Sequence, residues 1–290
     1  YDADNNEIDH FYMAAYNGCC YDGKMRSISG LTLTPWVTTA YSDSATYAIG
    51  DKVNYDNCMY KCITAVETAE VFDPAKWEQY AYNGNTSGIE EIARVRANNT
   101  TAKDEWTIDL WADANLIWGL LYLIGKSTDV QATFGRGIDS GSQAAAETYV
   151  TGTLNDKGLF YGSTANGSTA VKVFGIENFW ACKWRRCVGL IGTSTGISYK
   201  LTHGTKDGSS ASAFNTNGSG YLTLAYTKPS SNYVKNMNYG KWGIIAKVTG
   251  SPAASNKCYC DYFYTGTGFA LFGGDSRGGA GCGVCVYLSV

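Results

Sequence analysis

Two stretches of the chain hold a serine in a setting that could make it a nucleophile. Gly274-Asp275-Ser276-Arg277-Gly278 and Gly192-Thr193-Ser194-Thr195-Gly196 both fit the G-x-S-x-G template, in which a sharp turn presents the hydroxyl for attack on an acyl carbon. Such a serine needs a base to take its proton. The chain has two histidines, His10 in a charged N-terminal segment and His203 ahead of a turn, and neither stands in a triad context. The template also asks for a helix after the serine, whereas Cys282, Val284, Val286 and Leu288 alternate as a strand does. Acyl transfer is therefore not expected.

The cysteines invite a metal reading. Cys282-x-x-Cys285 has knuckle spacing, but its partner Cys258-x-Cys260 does not. On extended backbone, residues two apart share a face, so Cys282 and Cys285 face opposite ways unless the chain turns between them. Free core thiols or a disulfide fit this spacing better than a tetrahedral site. Cys19, Cys20, Cys58, Cys62, Cys182 and Cys187 form no recognisable framework. Glu90, Glu91, Asp104, Glu105, Asp109 and Asp113 gather on predicted helices, where they read as first-turn and solvated-face charges rather than a glycosidase pair. No catalytic set, metal site or cofactor is expected.

Composition excludes further classes. Only 17% of the 290 residues are charged, the net charge is -3 and no run of Lys or Arg occurs, so the footprint for phosphate backbones is missing. Nucleic acid is not an expected partner. The longest apolar run, Leu116 to Ile124, is too short to cross a bilayer. Tyr1 is followed by no basic-then-apolar signal segment, and the chain ends within a strand pattern at Val290, which suggests a piece of a longer polypeptide. The 22 tyrosines and 8 tryptophans, set among Gly, Ser, Thr and Asn, suit short strands, turns and a recognition surface.

The elements that must position these residues follow from periodicity. Ser87 and Glu90 make a capping box, followed by Ile89, Ile92, Ala93 and Arg96 at helical spacing. A second helix is predicted from about Asp104, with Ile108, Trp111, Ala114, Trp118, Leu121 and Ile124 on its core face and Gly125-Lys126 as its stop. Strands are predicted within 171–184, 196–204, 220–226 and 258–264. Helices followed by antiparallel strands predict an α+β protein. Residues 35–82 break that plan with their own strand and turn rhythm. Their pattern Tyr47, Gly50, Asp51, Val53, Tyr55, Tyr60 and Trp77 resembles the three-stranded chitin-binding modules of chitinases and phage tail proteins. Thr64 and Ala65 stand where such modules place a sugar-gripping tryptophan pair.

The order of segments around that insert carries a wider resemblance. "HFYMAAYNGCCYDGKMRSISG", the predicted helices, "VKVFGIENFWACKWRRCVGL" and the closing "ALFGGDSRGGAGCGVCVYLS" resemble phage tail and tail-fibre proteins of gut bacteriophages. These end in a C-type-lectin-like receptor-binding domain akin to the variable proteins of diversity-generating retroelements. The resemblance implies a lectin-like domain over residues 1–34 and 83–290, with 35–82 as an inserted carbohydrate-binding-module-like β domain. It implies a non-enzymatic virion protein, extracellular and trimeric, that attaches to a bacterial surface glycan or protein alongside other virion subunits. Asp275 to Gly281 would then face the receptor. Asp275, Ser276 and Arg277 would supply polar contacts, and Tyr262, Tyr264, Phe272 and Tyr287 aromatic ones. Trp180 is a further candidate, with a place in the core as its alternative. The calcium-binding Glu-Pro-Asn or Gln-Pro-Asp loop of sugar-binding C-type lectins does not occur. The alternative function is a structural virion component whose lectin-like fold serves assembly.

Overall fold

The computed structural model describes residues 7, 9–21, 24–31, 39–56, 58–82, 109–140, 146, 148–192, 196–201, 219–227, 229–251, 259–260 and 269–288. Within them the chain is α+β. The first elements are β1 (Cys19–Tyr21), β2 (Lys24–Arg26), β3 (Lys52–Tyr55), β4 (Cys58–Cys62), β5 (Trp77–Tyr82) and β6 (Asp109–Leu110). Two helices follow, α1 (Trp111–Gly125) and α2 (Val130–Phe134). Then come β7 (Gly137–Ile138), β8 (Ser168–Thr169), β9 (Lys172–Val173), β10 (Ile176–Glu177), β11 (Arg185–Gly192), β12 (Gly196–Tyr199) and β13 (Leu222–Ala225). The last strands are β14 (Asn232–Gly240), β15 (Gly243–Gly250), β16 (Tyr259–Cys260), β17 (Phe269–Gly273) and β18 (Gly283–Leu288).

The main sheet runs β13-β12-β11-β17-β18, antiparallel throughout, and β6 joins β11 in parallel. Its centre is β11, whose Cys187, Val188, Leu190 and Ile191 are all buried, as expected of a strand covered on both faces. Helix α1 packs on it through Trp111, Ala114, Trp118 and Leu121, spaced three or four apart and almost wholly buried. Trp111 meets Trp118 edge-on at 5.5 Å, and Trp118 meets Phe272 edge-on at 5.1 Å. This ladder of rings ties the helix to the strand that leads into the 274–281 loop.

The helix differs from its sequence reading at its start. It begins at Trp111 because Asp109 and Leu110 pair with Cys187 and Val188. It ends at the predicted Gly125-Lys126 stop, with the left-handed cap on Lys126 at φ 50° and ψ 31°. Ile124 lies on the outer face with Leu123, not on the core face. The predicted helix over Ser87 to Arg96 lies outside the described residues.

Residues 171–184 read as one strand but fold as β9, β10 and a series of turns. Phe174, Asn178, Ala181 and Cys182 all take positive φ, which breaks the extended path that period-two alternation implies. The tight β9–β10 pair carries a buried polar centre. Glu177, 1% exposed, accepts the Tyr149 hydroxyl at 2.7 Å, the Gly152 N–H at 2.9 Å and the Leu154 N–H at 2.9 Å. Burial, with Glu177 alongside, pushes the Tyr149 phenol up. Lys172, opposite Glu177 in register, donates to the carbonyls of Leu154 and Lys157.

Residues 39–82 hold the antiparallel sheet β3-β4-β5 and a separate buried cluster of Val53, Cys62, Val66 and Trp77, ringed by Tyr41, Tyr47, Tyr60 and Phe72. Tyr41 stacks on Tyr47 and stands edge-on to Trp77, and Tyr55 stacks on Phe72 at 4.0 Å. Five of the seven residues that carried the module resemblance, Tyr47, Val53, Tyr55, Tyr60 and Trp77, are therefore parts of the β3 to β5 sheet or its aromatic cluster.

Candidate functional site

Gly274–Gly281 connects β17 to β18, the pair at one edge of the main sheet. A Cβ on Gly274, where φ is +76°, would lie 2.9 Å from Cys282 Sγ and 3.0 Å from its Cα, so only glycine permits this close crossing. Bonds from below hold the loop. The Ala181 N–H donates to Gly273 O at 2.8 Å and the Ser276 N–H to Cys182 O at 3.2 Å. The buried amide of Gln131 donates to Gly279 O at 3.0 Å and also contacts Arg136 O and Asp139 Oδ2. Arg136 in turn grips the fully buried Asp139 carboxylate through two nitrogens, at 2.9 and 3.1 Å. The Cys282 thiol donates to Asp275 O at 3.0 Å. Burial, with Asp139 and Asp275 nearby, pushes that thiol up to about 12, so it stays protonated as a donor.

What reaches solvent is short. The Arg277 side chain is 62% exposed and that of Asp275 16%. Arg277 donates to Asp275 Oδ2 through Nε at 3.1 Å and Nη2 at 2.5 Å, and its backbone N–H donates to Asp275 Oδ1. Two nitrogens bonded to one carboxylate oxygen pre-set the guanidinium, and its exposed remainder can bond a ligand. The Asp275 carboxylate also raises the guanidinium pKa.

Three residues expected on this surface are not there. Ser276 is 1% exposed, because the Cys182 carbonyl draws the backbone inward between Asp275 and Arg277. Phe272 is fully buried, since alternation along β17 turns it onto Trp118 and Phe179. Trp180 is also fully buried, and its indole N–H donates to Gly135 O at 3.0 Å. Of the expected set, Asp275 and Arg277 meet at the tip. Tyr287 occupies β18 opposite Leu271, with its side chain outside the described residues, as are Tyr262 and Tyr264.

The supports Gln131, Arg136 and Asp139 carried no signal in the sequence, and Cys182 stood out only as a cysteine outside any framework. Gln131 and Gly279 are 148 positions apart, and nothing local to either announces the bond. Glu177 did carry a signal, since it lies within "FGIENFW", but its role is to gather donors in the core.

At Ser276 the hydrolase template fails on geometry, because that serine is closed off from solvent; Ser194 lies outside the described residues. Asp109 is committed to Arg185, at 2.7 and 3.0 Å. Among the described residues no group of three His, Cys, Asp or Glu is placed to hold a metal ion, and no helix is long and apolar enough to cross a membrane. Comparison of the chain with protein-family models, with curated proteins and with solved structures finds no match.

Proposed function

We propose that this chain is a non-enzymatic attachment protein of the phage tail-fibre kind, with a C-type-lectin-like domain whose contact surface centres on Arg277. One observation carries the reading. A solvent-exposed guanidinium stands on a loop whose glycine crossing and buried bonds hold it still before any ligand arrives. Such preorganisation lowers the ordering cost of binding, and several copies on one particle convert a weak contact into firm adhesion. The ligand is a bacterial surface glycan or protein that offers acceptors to the guanidinium edge.

The test is adhesion of the fluorescently labelled chain to a panel of bacterial cells, with Arg277→Ala and Asp275→Ala measured beside it. Losing one charge-assisted contact should lower adhesion about tenfold, and for Arg277→Ala, whose side chain is exposed, the melting temperature should stay unchanged. Equal adhesion by the parent and both variants refutes the assignment.

Assembly within a virion is favoured by a different observation. Leu120, Leu123 and Ile124 line the outer face of α1, with Leu123 74% exposed, a concentration of apolar side chains that an oligomer would cover. Light scattering should then give a trimer mass for the parent and a monomer mass for Leu123→Glu. A monomeric parent removes this reading.

A further inference from the structure

Asn166-Gly167 leads into β8, beside the bonds that hold the 274–281 loop from below. The fold requires glycine at 167. A Cβ there would fall 1.6 Å from Asp139 Oδ1 and 3.2 Å from Arg136 Nη2, so the backbone lies directly against the ion pair. Gly167 O accepts the Asp139 N–H at 2.8 Å, and Ser168 and Thr169 pair with Ile138 and Gly137.

Asparagine is thermolabile, and most so before glycine, whose nitrogen reaches the asparagine Cγ unhindered by a side chain. Two features favour that attack at Asn166. The residue is exposed, so water can carry off the leaving group. Its Oδ1 accepts the Ser168 N–H at 3.2 Å, the Ser168 hydroxyl at 3.1 Å and the Thr169 hydroxyl at 3.0 Å. These donors fold the side chain back along its own main chain and stabilise charge developing on the oxygen, as an oxyanion hole does. Asn17-Gly18 offers the contrast within the same chain. Its Oδ1 accepts from the buried guanidinium of Arg185, and its Nδ2 is sealed from water.

We propose that Asn166-Gly167 is a self-modification site, converting to isoaspartate in the folded protein, and that this conversion loosens the Arg277 loop. The Gly167 nitrogen gives its proton to hydroxide and bonds Cγ, the Cγ–Nδ2 bond breaks, and ammonia leaves a cyclic imide. Water then opens the ring. Opening at the side-chain carbonyl gives aspartate, whose carboxylate accepts the same three donors. Opening at the main-chain carbonyl gives isoaspartate, which adds a methylene, about 1.5 Å, to the chain path. That length arrives at Gly167, where the Asp139 carboxylate leaves no room for it. Asp139 Oδ2 is an acceptor of the same Gln131 amide that bonds Gly279 O, so the displacement passes to the loop.

The full chain, aged in mildly alkaline buffer, tests both halves. Peptide mass spectrometry with isoaspartyl methyltransferase labelling should show the Asn166 peptide gaining one dalton about tenfold faster than the Asn17 peptide, with isoaspartate among the products, and more slowly in mildly acidic buffer. Amides of 274–281 should then exchange hydrogen about tenfold faster, the effect of losing one hydrogen bond. The aged Asn166→Gln chain, whose longer side chain closes a larger ring far more slowly, should keep the exchange of fresh protein. The inference is overturned if the Asn166 peptide converts no faster than the Asn17 peptide, if aspartate is its sole product, or if loop exchange in the aged parent matches that of the aged Asn166→Gln chain. Reduced adhesion of the aged parent is the one consequence that rests on the attachment reading, so faster exchange with unaltered adhesion counts against that reading and leaves the modification standing.

Discussion

Glu177→Ala is expected to cost about 4 kcal/mol, enough to leave a domain of ordinary stability only marginally folded. The carboxylate accepts from Tyr149, Gly152 and Leu154, and all three bonds lie within or at the edge of the core. Alanine would strand two backbone N–H groups and a hydroxyl that otherwise accepts from Thr153. Glu177→Gln keeps the shape and one acceptor oxygen, so it should cost about half as much. Urea unfolding followed by tryptophan fluorescence reads both values. A Glu177→Ala variant within about 1 kcal/mol of the parent would show that water or neighbouring groups replace the carboxylate.

The Asp109–Arg185 pair should give an effect of similar size for a different reason. Arg185 is 8% exposed and lies over the rings of Phe179 and Phe272, at 5.3 and 5.8 Å. Its charge is tolerated there because Asp109 meets it through two bonds. Asp109→Ala leaves the guanidinium buried without its counter-charge and should cost about 3–5 kcal/mol. The double variant Asp109→Leu with Arg185→Met removes both charges together and should recover most of that loss. A double-mutant cycle by chemical denaturation checks this. If Asp109→Ala proves nearly neutral, Asn17, which also bonds Arg185, is sufficient to hold the charge.

Several features of the fold were legible because they repeat locally. The three-and-four spacing of Trp111, Ala114, Trp118 and Leu121 located α1 and its buried face. The glycines around 273–281 marked a turn between two strands, and the strand and turn rhythm within 35–82 marked the β3-β4-β5 sheet. What escaped depends on partners distant in sequence. The acidic residues before Trp111 looked like a helix start, yet Asp109 is a strand residue bound to Arg185, 76 positions away. The β14–β15 hairpin gave no alternation to read, because register shifts at Val234, Asn236 and Met237 interrupt the pleat. Ser276 looked suited to a surface by residue type, and Trp180 was open to either surface or core. Their burial was decided by the carbonyls of Cys182 and Gly135, which no pattern around either residue encodes.

The inward turn at Ser276 divides the loop into a part that can change and a part that cannot. Because the backbone is anchored between two outward neighbours, a library randomised at position 277 alone would sample many chemistries on one unaltered scaffold. Randomising 276 with it would mostly return clones that fail to fold. The yield of soluble variants from the two libraries would report directly on that partition.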